Sequence, residues 1–190
     1  LLLEGFFSAY EVKVCSQMNI GAVIHNTQQI DFINQVKPKN PINIHLKINT
    51  GMNRLGFPPS KVKSLIQSLE TSPYIGNIIL MTHFANADEA IGIQDQLALF
   101  NTIVDDSFDR SVANSAAIIR YPETHMEWVR PGIMLYGASP FEDQSSKEIG
   151  LRPVMSLHSK IIALQNLEKG QSVGYGSTFV ATNKTRIGIV

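Results

Sequence analysis

The chain has 190 residues, 44% of them hydrophobic and 17% charged, which suits an ordinary globular α/β domain with a sizeable core. Lys plus Arg equals Asp plus Glu at 16 each, so no net field draws the chain to nucleic acid or an anionic membrane. The one cysteine, Cys15, excludes an internal disulfide framework and suits a reducing, cytoplasmic setting, and no apolar run approaches the about 20 residues that span a bilayer.

Short apolar runs alternate with longer amphipathic stretches, the pattern of βα units around a parallel sheet. LLLEGFF lacks the basic region and cleavage site of a signal peptide and predicts a strand over 1–6, followed by a helix over 8–19. Further strands are expected over 21–25, 42–49, 77–84, 109–113 and 128–136, with helices over 27–36, 59–71, 90–105 and 115–120. The first residue is not Met and TRIGIV stops within a strand-like run, so both ends are expected to cut through structure.

INIHLKIN separates Ile42, Ile44, Leu46 and Ile48 from Asn43, His45, Lys47 and Asn49. An open doubly wound sheet is covered on both faces and would be apolar on both. In a (β/α)8 barrel only the outer face meets helices, and the mouth of the inner face can carry polar chemistry. The expected fold is therefore α/β: a partial (β/α)8 TIM barrel, about six of eight βα units, over 1–137. The Gly-, Ser- and Pro-rich stretch 138–150 reads as a linker, and the β-rich remainder, 151–190, as the beginning of an all-β domain.

The five histidines lack metal-ligand spacing, and there is no GxSxG, P-loop or GxGxxG. Weight falls on polar residues at strand ends: Lys47 and Arg54 in KINTGMNRLGF, His83 in MTHFANAD, Asn114 and Ser115 in ANSAA, and Arg130, Gly132 and Ile133 in WVRPGIMLYG. Ser115 stands where it can cap a helix. Taken alone, Lys47 and Arg54 read as paired or solvated charges, His83 as a hydrogen-bonded structural residue, and Tyr175 as amphipathic packing.

In order and spacing these four segments, with LLLEGFFSA before them and SVGYGSTF after them, resemble the blocks of the alanine racemase family. The resemblance spans practically the whole chain. It implies a pyridoxal 5'-phosphate enzyme that interconverts L- and D-alanine by two-base proton transfer, as a homodimer, with no nucleic-acid or membrane partner. Tyr175 matches the tyrosine base lent by the partner subunit, and His83 a residue that supports it in a relay with Arg130. Arg130 also matches the arginine facing the pyridine nitrogen. Asn114, Ser115, Gly132 and Ile133 match the phosphate cup, and Arg54 the arginine at the phenolic oxygen and substrate carboxylate. Lys47 matches a lysine that is carbamylated in many members. Asn49 stands where Asp is usual in the family, and Asn53 where Gly is usual.

No block here matches the family's cofactor lysine, a strand-one segment resembling KANAYGHG, and most of the β domain is not matched either. The chain by itself is therefore expected to be inactive. Two other readings stand beside the racemase: a non-enzymatic pyridoxal-phosphate homeostasis barrel, which would end without a β domain, and an inactive truncated remnant with exposed strand edges.

Overall fold

The computed structural model describes residues 1–104 and 106–190 and divides into two compact units, Leu1–Val154 and Met155–Val190. In the first, helices α1 (Ala9–Gln17), α2 (Thr27–Val36), α3 (Pro59–Glu70) and α4 (Gln94–Ile103) alternate with strands β1 (Ala22–Ile24), β2 (Ile42–Lys47), β3 (Ile75–Met81) and β4 (Arg110–Ser111). A short α5 (Ser115–Arg120) follows. The strands lie parallel in the order β1-β2-β3-β4, the arrangement that successive βα units produce.

Local chemistry sets the helix starts. Ser8, Asn26 and Asn114 cap α1, α2 and α5 by accepting from the amides of Glu11, Gln29 and Ala117. On β2 the apolar set Ile42, Ile44, Leu46 and Ile48 is buried in the core under the helices. Of the opposite set, Asn43 is exposed while His45 and Lys47 are buried.

The sheet is curled. The His45 ring meets the Trp128 ring edge-on at 5.5 Å between centroids, although Trp128 joins the sheet beyond β4. Laid flat, three strand spacings would hold those positions roughly 14 Å apart.

Two predicted strands are corrected to single bridges at the flanks of this sheet. Over 1–6 only Leu2 pairs, with Ala22. The chain then turns at Gly5 (φ +74°), where a Cβ would collide with the Val23 carbonyl and the Gln29 amide. The buried Gln29 side chain donates to the carbonyls of Glu4 and Phe6, replacing ladder partners with a side chain. Over 128–136 only Trp128 pairs, with Ser111. Pro131 has no N–H to continue a ladder, and Ile133–Tyr136 winds into a 3-10 turn ended by Gly137 at φ +79°. The helix expected over 90–105 begins at Gln94, after a loop that turns at Gly92, and residue 105 lies outside the described residues.

Within the first unit Phe141 is buried, and the Arg120 guanidinium lies 3.8 Å above its ring. Arg120 also donates to the Asp88 carbonyl and pairs with Asp143 at 3.1 Å. The second unit has two antiparallel pairs, β5 (Ala163–Leu167) with β8 (Thr185–Ile189) and β6 (Ser172–Val173) with β7 (Phe179–Val180). A 3-10 turn, Tyr175–Ser177, links β6 to β7. Ala181 is its one buried residue among the described ones, so this unit has almost no core of its own.

Candidate active site

The polar residues singled out from the first unit's sequence converge. Lys47, Arg54, His83, Asn114, Ser115, Arg130, Gly132 and Ile133 all line one cavity of about 860 Å³ at the C-terminal ends of the strands. Parallel α/β sheets place ligands at that end, because the loops leaving successive strands meet there. Tyr175 is fully exposed on the 3-10 turn of the second unit.

Arg130 organises the floor. Its backbone N–H donates to the Ala113 carbonyl. Its guanidinium donates to Ser111 Oγ at 2.7 Å, to the Thr82 carbonyl at 2.6 Å and to the Val112 carbonyl at 3.3 Å. These acceptors are neutral, and among the described residues no carboxylate lies within 4.0 Å of Arg130 or of Lys47. Burial lowers the Arg130 pKa to about 10, which leaves it charged at neutral pH.

Its charge is felt by its neighbours. Burial, then Arg130, then Lys47 and Arg54, hold His83 at about 4, so its ring is neutral at pH 7. Burial and then Arg130 do the same to His45. Lys47 is also lowered, first by burial and then by Arg54 and Arg130, with Glu4 acting in the opposite sense. Among the described residues no hydrogen bond joins the His83 ring to Arg130.

Across the cavity, Ser115 Oγ accepts from the Gly132 amide at 2.8 Å, tying the start of α5 to the turn after Pro131. Asn114 caps α5 with Oδ1 while its Nδ2 donates to the Phe84 carbonyl, so this corner is held to the loop after β3.

Arg54 is exposed on the loop between β2 and α3. That loop folds back on its own strand: Phe57 donates to the Lys47 carbonyl at 2.8 Å, and Asn49 donates to the Phe57 carbonyl at 2.9 Å. Gly56 permits the return at φ +121°, since a Cβ there would sit 2.8 Å from the Asn49 amide.

The two departures from the family motif have a physical account in this loop. Asn49 Oδ1 accepts from the amides of Gly51 and Asn53, a task for which Asp is equally equipped. Asn53 sits at φ +56°, a conformation that Asn, like Gly, tolerates. Asn49 Nδ2 also donates to Asn53 Oδ1 at 3.0 Å. Asn49→Asp and Asn53→Gly are accordingly expected to stay within about 0.5 kcal/mol of the parent, whereas Asn49→Ala and Asn53→Val should each cost about 1–2 kcal/mol. Urea denaturation checks this; equal costs for Asp and Ala at position 49 would discard the account.

Sequence reasoning did not single out the other residues around the cavity, among them Leu3, Glu4, Phe7, His25 and Met81. His25 ends the strand predicted over 21–25, a signal that could have found it, whereas Met81 falls inside the strand predicted over 77–84 and offers no such signal. Glu4 falls in the strand predicted over 1–6, which is a loop beyond its one bridge, and Phe7 lies between that strand and the helix predicted from residue 8. No group of three or more His, Cys, Asp or Glu able to hold a metal ion occurs among the described residues.

Comparison with known proteins agrees with this geometry. The family model for the alanine racemase N-terminal domain matches residues 1–140, and that for the alanine racemase C-terminal domain matches 154–190. The chain is 44% identical to an alanine racemase of Thiobacillus denitrificans, over all of this chain and 52% of that protein. It is 45% identical to one of Burkholderia mallei, over all of this chain and 54% of that protein. The crystal structure of the biosynthetic alanine racemase of Pseudomonas aeruginosa superposes with a TM-score of 0.90 at 41% identity, covering 98% of this chain and 53% of that one. The chain thus spans about half the length of the curated relatives it matches.

Proposed function

The chain belongs to the alanine racemase family, and from that premise we propose that the protein it forms part of interconverts L- and D-alanine with pyridoxal 5'-phosphate held in the cavity above β2, β3 and β4. The observation that carries this reading is the gathering of Lys47, Arg54, His83, Asn114, Ser115, Arg130 and Gly132 on one cavity. Its charged lining has three cations, Lys47, Arg54 and Arg130, against two carboxylates, Glu4 and Asp88. With His83 neutral, that excess suits a ligand bearing a phosphate and a substrate bearing a carboxylate. The volume also lies within the ordinary range for a small-molecule site. The residues present therefore fit the cofactor.

Bound there, pyridoxal phosphate supplies an electron sink for the pair left behind when the substrate's Cα proton departs. The chain's own groups do the rest. Ser115, Asn114, Gly132 and Ile133 would receive the phosphate. Arg130 would face the ring nitrogen, where a permanent cation discourages protonation and so limits side reactions. Arg54, with Lys47 behind it, would meet the phenolic oxygen and the substrate carboxylate. Whether Lys47 is carbamylated bears on that pair, since a carbamate would give Arg54 an anionic partner. Tyr175, lent by a second copy, would hold or release a proton at its phenolic oxygen on one face of Cα. A phenol ordinarily titrates near 10 and needs cations around it to do so at neutral pH. Neutral His83, among Arg130, Lys47 and Arg54, can share that proton through its ring.

A homodimer follows from the lent tyrosine. The product would supply D-alanine to cell-wall synthesis or be consumed by catabolism, in the cytoplasm. No helix among the described residues is long and apolar enough to cross a membrane. The six barrel units over 1–137 and the linker over 138–150 are part of the same proposal. The β unit supports an enzyme over a homeostasis barrel, which would lack one.

Two measurements test the reading. The protein should take up pyridoxal phosphate, followed by absorbance and fluorescence, and Ser115→Ala should weaken uptake about tenfold. In D2O the protein of which this chain forms part should place deuterium at Cα of either alanine enantiomer, whereas the 190-residue chain by itself should not. Uptake without exchange would favour the homeostasis barrel, and no uptake would end the reading.

A further inference from the structure

Behind the cavity, on the side of helix α4, one side chain holds three loops together. Gln96 Oε1 accepts from the Ala85 amide at 2.8 Å, which fixes the orientation of the side-chain amide. Its Nε2 then donates to the His83 carbonyl and to Thr50 Oγ1, each at 3.2 Å. Thr50 Oγ1 lies 2.7 Å from Thr82 Oγ1, and Thr82 Oγ1 donates to the Ile48 carbonyl at 2.9 Å. Because Thr82 spends its one hydroxyl proton on Ile48, the proton between the two threonines must come from Thr50. The bonds therefore run one way, from Gln96 through Thr50 and Thr82 to Ile48. Both threonines are buried, so no solvent molecule can readily stand in for a lost partner.

Two of the residues so held, Thr82 and His83, also reach the site. The Thr82 carbonyl accepts from Arg130 Nη2, and the His83 ring lines the cavity. We propose that Gln96, Thr50 and Thr82 are positioning residues of this site, a brace that aims the Thr82 carbonyl at Arg130 and the His83 ring into the cavity. None of the three is among the residues lining the cavity, so they would act only through Arg130 and His83. The inference rests on the proposed cofactor site for its consequence, but not for its geometry.

The test has one readout for each. In the full chain, His83 is titrated by NMR; the charged groups around it are Arg130, Lys47 and Arg54. Releasing the brace lets the ring and the guanidinium drift apart and gain water, so Thr82→Val and Gln96→Leu should raise the His83 midpoint by about one unit. The same variants should weaken pyridoxal phosphate uptake about tenfold. Thr82→Ser keeps the hydroxyl and should restore both to within about twofold of the parent. Ser16→Ala, which breaks the part-buried hydroxyl bond of the buried Ser16 to the Asn40 carbonyl elsewhere in the unit, controls for lost stability and should move neither readout. A His83 midpoint unmoved by Thr82→Val and Gln96→Leu, or moved as far by Ser16→Ala, overturns the brace. If the parent takes up no pyridoxal phosphate, the cofactor reading fails, and the His83 titration still decides the brace.

Discussion

Replacing Arg130 by methionine is expected to reduce pyridoxal phosphate affinity at least about 100-fold and, at the same time, to raise the titration midpoints of both His83 and His45. The first effect follows from losing a cation that has no carboxylate near it and is thus available to an anionic ligand. The second follows from Arg130 being, after burial, the largest influence holding each histidine near 4. Because burial stays when the charge is removed, both midpoints should rise yet remain below the usual 6.5. The variant also leaves Ser111 Oγ and the carbonyls of Thr82 and Val112 without their donor, at a cost of about 1–3 kcal/mol. Arg130→Lys keeps a charge but cannot reach Ser111 and Thr82 together, so it should restore the histidine midpoints better than the affinity. Histidine midpoints that do not move in the methionine variant would show that Arg130 is not where its field is placed here.

The second residue holding that arginine, Ser111, was invisible in the sequence. It lies 19 positions before Arg130, and its hydroxyl matters only because the sheet sets the end of β4 beside the chain after Trp128. Gln96 was equally hidden, since a polar residue in the first turn of a helix looks solvated until its tertiary partners are known. By contrast, the alternation in INIHLKIN carried the two faces of β2 into the fold, because side-chain direction along a strand has a period of two whatever surrounds it. That period separated Lys47 and His45 from the apolar set, but not how deeply each is buried. The flanks failed for another reason. Leu2 and Trp128 sit in runs with strand-like composition, yet Gly5 turns one run and Pro131 ends the other, each through backbone properties that outweigh propensity. Tyr175 was singled out only through resemblance, because an exposed phenol on a short turn carries no local pattern that marks it for chemistry.

Acid should destabilise this protein well before its carboxylates titrate. His45 and His83 both titrate near 4 when folded and near 6.5 when unfolded. Their folded values are depressed, so the stability tied to their neutral rings is complete above about 6.5 and is lost progressively as pH falls toward 4, where the unfolded chain binds protons the folded one refuses. The loss is on the order of 3 kcal/mol for the buried His45 and less for the part-exposed His83, a large share of a typical domain's stability. Glu127, whose carboxyl is lowered chiefly by the Arg110 amide, acts only below its ordinary range, and the lowered Lys47 acts on the alkaline side. Between roughly pH 4.5 and 6.5 the slope therefore belongs to the two rings. Urea denaturation across that window should show a falling midpoint, and His45→Gln with His83→Gln should flatten it. The chain's one tryptophan, Trp128, meets the His45 ring, so its fluorescence should dim as that ring gains a proton. A tryptophan signal tracking a midpoint near 6.5 would mean His45 is solvated, and the curl of the sheet that buries it would have to be abandoned.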